Sequence, residues 1–153
     1  MKNSQESILL EFRQHCRKAG MKVTGPRLTI FRVLQGNREH PVVDQVWKAA
    51  RTELPNISRE SVYRILNDIV AHGVIAMLDR SDVVARYDSN PERHDHFFCT
   101  RCGRVFDFEA PQLPNLVAPL AEKFGRVEHT EARVQGICKE CLAQNATESS
   151  GMG

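Results

Sequence analysis

Two cysteine pairs, Cys99-x-x-Cys102 and Cys138-x-x-Cys141, constrain this chain more than any other feature. Two intervening residues let both thiolates of a pair turn toward one tetrahedral ion, and two pairs together supply four sulfurs at Zn–S distances of about 2.3 Å. The 35 residues between the pairs exceed the gap of a compact zinc ribbon, yet Gly103 and the neighbouring β-prone runs suit a knuckle turn. Disulfides are the competing reading. The N-terminus MKNSQESILL has no basic segment followed by a long apolar one, so the expectation is a reducing cytoplasm and free thiols. A four-thiolate site has no open coordination position, so its expected role is structural. The fifth cysteine, Cys16, falls on the apolar face of a helical pattern and reads as a small buried hydrophobe.

The chain has 153 residues, with 41% hydrophobic and 26% charged, which excludes disordered, collagenous and coiled-coil classes and leaves room for one domain or two small ones. No apolar run approaches the roughly 18–20 residues of a membrane span. Charge is divided unevenly: residues 1–80 hold 13 Lys and Arg against 8 Asp and Glu, and residues 81–153 hold 8 against 11. A basic first half suggests a polyanionic partner, and an acidic second half suggests cations.

The first half reads as helices. Ile8, Leu9, Phe12 and Cys16 recur on one face before Gly20; a second helix opens at Thr24-Gly25-Pro26 and carries Leu28, Phe31 and Leu34 inward. Val43, Val46, Trp47, Ala50 and Leu54 form a third helix closed by Pro55, and Ser58 caps a fourth, over 58–71, whose stripe is Val62, Ile65, Leu66, Ile69 and Val70. His72-Gly73 ends it. Two short β-prone runs, Val74–Leu78 and Val83–Tyr87, flank Asp79-Arg80-Ser81-Asp82 as a hairpin, so residues 1–86 predict a winged helix-turn-helix domain. After a hinge at 87–91, residues 92–144 read as strands at His94–Cys99 and Val105–Phe108, a helix around Leu113–Phe124 and a strand across Val127–Ile137. The polar tail 145–153 is expected to be disordered. The fold class is therefore α+β: an N-terminal winged helix-turn-helix DNA-binding domain and a C-terminal α/β domain with a four-cysteine zinc site.

Alternation along a strand puts His94 and His96 on one face and Asp95 on the other. Two imidazoles on one face suggest a metal site, to which Asp88 and Asp107 could add oxygens, a mixed N/O set suited to Fe(II), Mn(II) or Zn(II). Such a set also occurs in mononuclear metalloenzymes, but no nucleophile arrangement or phosphate-binding glycine loop accompanies it, and the expectation is no enzyme and no small-molecule substrate. His15 and His72 have ordinary positions on helices, His129 is ambiguous, and His40 has the look of a loop residue before Pro41.

Together these residues resemble the Fur (ferric uptake regulator) superfamily of metal-dependent transcriptional repressors, over roughly residues 5–142. The likeness rests on Gly20…Thr24-x-x-Arg27, His40-Pro41, Ile57-Ser58…Val62-Tyr63-Arg64, Arg86-Tyr87-Asp88, His94-Asp95-His96-x-x-Cys99-x-x-Cys102-Gly103…Phe106-Asp107-Phe108 and Cys138-x-x-Cys141. It implies a regulatory Fe(II) or Mn(II) site on His40, Asp88, His94, His96 and Asp107, with His40 supplied by the resemblance alone. It also implies a homodimer, joined through the C-terminal domain, acting on pseudo-palindromic double-stranded operator DNA. Aspartate at position 107 is similar to the peroxide-sensing PerR branch, in which the oxidised ligands match His40 and His94; iron-sensing members usually carry glutamate there. The alternatives are an iron-responsive or zinc-responsive repressor, and Tyr63-Arg64 looks more like iron-sensing members. A second regulatory site known in some members looks broken here: Asp95 and His129 match, but Arg93 and Pro114 stand where ligands would be needed.

For DNA, Arg59, Tyr63 and Arg64 lie off the apolar stripe of the fourth helix and are expected to reach the major groove, Arg64 toward guanine and Tyr63 toward thymine methyls. Arg13, Arg17, Lys18, Lys22 and Arg27 are expected to hold phosphates, which positions the domain without reading sequence.

Overall fold

The computed structural model describes residues 2–80, 83–90 and 92–149, in two compact units, Met1–Pro91 and Glu92–Gly153. In the first, α1 (Lys2–Ala19) directs Phe12 and Cys16 into the core and ends before Gly20. Pro26 sits in the first turn of α2 (Gly25–Leu34), where its missing N–H costs no helical bond, and Ile30, Phe31 and Leu34 are buried. Helix α3 (Val43–Ala50) stops before the predicted Leu54; the N–H of Leu54 bonds to the carbonyl of Ala50 in a turn leading to Pro55. In α4 (Arg59–Ala71) the Ser58 hydroxyl accepts the N–H of Ser61 at 3.1 Å, capping the helix, and Val62, Leu66 and Ile69 face inward while Tyr63 and Arg64 stay exposed.

A two-stranded antiparallel wing, β1 (Ala76–Arg80) and β2 (Val83–Asp88), completes this unit. Its turn falls partly on Ser81 and Asp82, outside the described residues. β2 runs through Asp88, two residues into the segment expected as a hinge, because residues 41–42 pair with it: Val42 bridges to Arg86 and the N–H of Tyr87 bonds to Pro41 O at 3.1 Å.

The second unit is a three-stranded sheet in the order β4-β3-β5, from β3 (Asp95–Cys99), β4 (Val105–Phe108) and β5 (Arg133–Gly136). β3 is antiparallel to β4 and parallel to β5, the parallel pair being linked through a 3-10 turn (Leu113–Leu116) and α5 (Val117–Phe124). β5 is shorter than the predicted strand because, just upstream, Ala132 gives its N–H to the Asp95 side chain rather than to a neighbouring strand. Helix α6 (Lys139–Ser149) continues through 145–149, where the sequence predicts a disordered tail: once the cysteine knuckle nucleates a helix, each added residue costs little. Residues 150–153 lie outside the described residues.

Asp95 organises this unit. Fully buried, it accepts the N–H groups of Ala110 and Ala132, both at 2.7 Å, joining the ends of β4 and β5 to β3. Asp95→Ala leaves both donors without their acceptor and is expected to destabilise the unit by about 2–4 kcal/mol. The measurement is the urea midpoint of the zinc-loaded protein; an unchanged midpoint would mean that water replaces the carboxylate.

The two cores differ in kind. Fifteen buried residues from every helix and the wing fill the first. The second has a cluster of Cys99, Cys138 and Cys141 with Phe97 and Phe106 packed against them, plus the buried Phe98 and Val105, and α5 buries none of its residues.

Candidate metal centres and nucleic-acid interface

The four cysteines predicted from spacing converge in the second unit. Cys99 ends β3, Cys102 lies in the tight turn that follows, in which Gly103 takes φ +70°, and Cys138 and Cys141 bracket the start of α6. Only glycine takes this left-handed backbone without strain, and the Gly103 N–H closes the turn onto Cys99 O at 3.0 Å. The Sγ atoms lie 3.9 Å apart for Cys99 and Cys141 and 3.8 Å for Cys102 and Cys138. The edge of a ZnS4 tetrahedron with 2.3 Å bonds is about 3.8 Å, whereas a disulfide needs about 2.05 Å. The donor set therefore fits zinc, and the cysteines are unbridged.

Charge in this cluster is unevenly shared. Burial raises the Cys99 thiol, but the N–H groups of Cys102, Cys138 and Arg101 outweigh it and hold it down at about 6. Burial and the neighbouring thiols push Cys141 up to about 12. A four-thiolate site must take the proton from Cys141, so metal loading releases protons and strengthens with pH. Arg104, which sequence reasoning missed, lies 3.5 Å from Cys102 Sγ and 3.7 Å from Cys138 Sγ and offsets thiolate charge.

A second donor set lies on the same sheet. His96 in β3 stands opposite Asp107 in β4, and His94 immediately precedes β3. Asp107 Oδ1 is 3.6 Å from His94 Nε2 and 3.7 Å from His96 Nε2, and the two rings are edge to face at 4.6 Å. Ligands about 2.1 Å from one ion are separated by roughly 3.0–3.4 Å, so movements of a few tenths of an ångström close these three atoms on a metal. Both histidines are nearly buried, His96 more so. Glu131, another residue missed in the sequence, accepts a hydrogen bond from His96 Nδ1 at 2.9 Å.

In the first unit His40 and Asp88 are buried and adjacent, with His40 Nε2 3.9 Å from Asp88 Oδ1. Pairing of residues 41–42 with β2 brings them together. His40 has φ +50°, the only described non-glycine residue with positive φ, and is held there by Arg86 Nη1 donating to its carbonyl at 2.9 Å. Strain of this kind concentrates at functional sites.

His129 is largely exposed, 3.9 Å from Glu131, and Arg93 lies 3.6 Å from Asp95. On the helical face, Tyr63, Arg64, Arg17 and Lys22 are exposed. Arg59 is ion-paired with Asp44, and Arg27 is ion-paired with Asp68 while donating to Lys22 O at 2.8 Å. The last two arginines thus tie α3 and α2 to α4. Among the described residues no helix is long and apolar enough to cross a membrane.

A winged helix-turn-helix unit with a basic face, followed by a small sheet carrying a four-cysteine site and a histidine-carboxylate site, defines a metal-responsive DNA-binding regulator. The family model for the ferric uptake regulator family matches residues 18–135, and the chain belongs to that family. The chain is 35% identical over 127 residues to the peroxide-responsive repressor PerR of Staphylococcus aureus (strain USA300), covering 82% of this chain and 85% of that protein. Among solved structures it is similar to the Helicobacter pylori ferric uptake regulator Fur, described as having three functional metal binding sites. The TM-score there is 0.75, with 30% identity over 90% of this chain and 93% of the other. The Campylobacter jejuni peroxide stress regulator gives a TM-score of 0.68 and 28% identity, over 87% of this chain and 98% of the other.

Proposed function

We propose that this chain is a homodimeric, metal-dependent transcriptional repressor that senses peroxide through oxidation of regulatory histidines. A zinc ion on Cys99, Cys102, Cys138 and Cys141 holds the second unit together. A regulatory Fe(II) or Mn(II) is held by His40 and Asp88 of the first unit and His94, His96 and Asp107 of the second, as the family resemblance implies. The observation that carries the reading is the Asp107 carboxylate set against both imidazoles, in a chain similar to PerR.

Each residue has a definite task. His96 on β3, His94 just before it and Asp107 on β4 would act from the second unit, and the pairing of residues 41–42 with β2 sets His40 beside Asp88 in the first. Ligands drawn from both units make metal affinity depend on the closed arrangement, and a ligand shifts a two-state equilibrium only by its differential affinity. Fe(II), if bound here, would activate peroxide, which Mn(II) in the same ligands would not. The net change is on the chain's own residues: one peroxide oxygen would be inserted at an imidazole C–H of His40 or His94, the ring being oxidised by two electrons, the other oxygen would leave as water, and the modified ring would no longer ligate.

The apolar surface of α5 and its surroundings, with Leu116, Leu120 and Phe124 exposed, supports a dimer through the second unit. Two reading heads then fit a pseudo-palindromic operator. Tyr63 and Arg64, exposed on α4, are the base-reading candidates, while Arg17 and Lys22 are the phosphate contacts. Arg27 and Arg59 contact DNA only in competition with their ion pairs.

The test is binding to palindromic promoter DNA by the zinc-loaded chain with no second metal, with Mn(II) and with Fe(II), the iron form also after peroxide. Binding only with metal, lost in the iron form after peroxide, is the expected result. Iron-dependent binding that survives peroxide would instead assign an iron-responsive repressor, the reading that Tyr63-Arg64 favours, and a zinc requirement at the second site would assign a zinc-responsive one. Multiple turnover of a small substrate without DNA binding would assign a metalloenzyme. Within the expected result, Arg64→Ala should weaken operator binding by about 1–3 kcal/mol and relax one base position, since a guanine-reading arginine carries that much discrimination. Lys22→Ala should lower affinity evenly across sequences and reduce the salt slope by about one.

A further inference from the structure

We propose that Glu131 is the positioning residue of the His94, His96 and Asp107 site, fixing the ring of His96 so that Nε2 is its metal-binding atom. The inference rests on the reading of those three residues as ligands. An ionised carboxylate only accepts hydrogen bonds, so the 2.9 Å contact from His96 Nδ1 to Glu131 Oε1 places the imidazole proton on Nδ1. Nε2 then carries the lone pair, and Nε2 is the atom that faces Asp107 Oδ1. A ligating imidazole whose other nitrogen donates to a carboxylate has its tautomer and ring plane set, and its basicity as a ligand raised.

Glu131 is itself held in place by the backbone. The next residue, Ala132, gives its N–H to Asp95 Oδ1 at 2.7 Å and accepts the N–H of His96 at 3.1 Å. Three hydrogen bonds therefore run between residues 131–132 and residues 95–96. Its other oxygen lies 3.9 Å from His129 Nε2, too far for a hydrogen bond, so His96 is the directed partner. At 38% side-chain exposure Glu131 is accessible to solvent, while His96 is 5% exposed.

The experiment uses the full zinc-loaded chain without a second metal. Ring nitrogen NMR reads the His96 tautomer, and Mn(II) titration followed by electron paramagnetic resonance reads affinity. Wild type should show Nδ1–H. Glu131→Ala should shift His96 toward Nε2–H and weaken Mn(II) about 10- to 100-fold, the usual cost of losing such a partner. Glu131→Gln, whose amide oxygen still accepts, should keep Nδ1–H and recover most of the affinity. It also carries the test if the alanine variant loses its fold. An unchanged tautomer in Glu131→Ala, or a changed tautomer with unchanged Mn(II) affinity, overturns the proposal while His94→Ala still abolishes Mn(II) binding. If His94→Ala binds Mn(II) like wild type, the metal-site reading itself has failed.

Discussion

Cys138→Ser is expected to unfold the second unit and leave the first folded. Among the described residues of 92–149 the buried hydrophobic side chains are Cys99, Cys138 and Cys141, with Phe97 and Phe106 packed against them, together with Phe98 and Val105, little apolar burial to order a segment of this size without a metal. Zinc on four thiolates contributes apparent binding energies of about 10–16 kcal/mol in zinc-finger peptides, and where no site exists in the unfolded chain that energy is folding energy. Removing one sulfur exposes the remaining thiolates to each other and opens the joint between β3 and α6. The first unit has its own fifteen-residue core and does not share this dependence. Hydrogen exchange should show protection lost across 95–136 but retained in α4, together with loss of the proposed dimer in sedimentation. Exhaustive chelation of wild type should give the same pattern. Retained protection across β3 and β5 in the zinc-free protein would show that the sheet stands without the metal.

The parts legible in the sequence are those encoded locally. The Ser58 cap and the stripe Val62, Leu66 and Ile69 place α4 to the residue, because a cap and a 3.6-residue period are short-range signals. The cysteine pairs are legible because two-residue spacing is itself the knuckle geometry. His40 carries no such mark: it meets Asp88 only because residues 41–42 pair with a strand more than forty positions away. Resemblance supplied it where pattern could not. Glu131 is hidden for a related reason. It reaches His96 through a parallel crossover that sets His96 beside Arg133, a register no local periodicity records. The helical extension over 145–149 depends in turn on a helix begun at a cysteine knuckle, so the composition of that segment alone does not describe it.

Peroxide is expected to abolish DNA binding by the Fe(II)-loaded protein and leave the Mn(II)-loaded protein unaffected. The size of the loss follows from the switch. If the regulatory metal takes the DNA-competent arrangement from about 1% to about 99% populated, release of the metal lowers apparent operator affinity about a hundredfold. The donor set sets the chemistry: imidazole nitrogens and carboxylates suit Fe(II) and Mn(II) alike, so both should act as corepressor, while only Fe(II) is expected to activate peroxide toward a ligand ring. Oxidation should be confined to the ligand shell, because an oxidant formed at the metal meets a ligand ring before it diffuses. Mass spectrometry should find a gain of one oxygen on the peptide containing His40 or His94 and none on that containing the exposed His129. Oxidation spread over surface histidines and methionines, or loss of binding in the manganese form as well, would mean that peroxide acts elsewhere, the cysteine site being the first place to look. The Asp107→Glu variant separates sensing from binding: a longer carboxylate between the same imidazoles should keep metal-dependent DNA binding and reduce the yield of oxidised histidine. Equal oxidation in Asp107→Glu and wild type would show that the aspartate does not set the peroxide response.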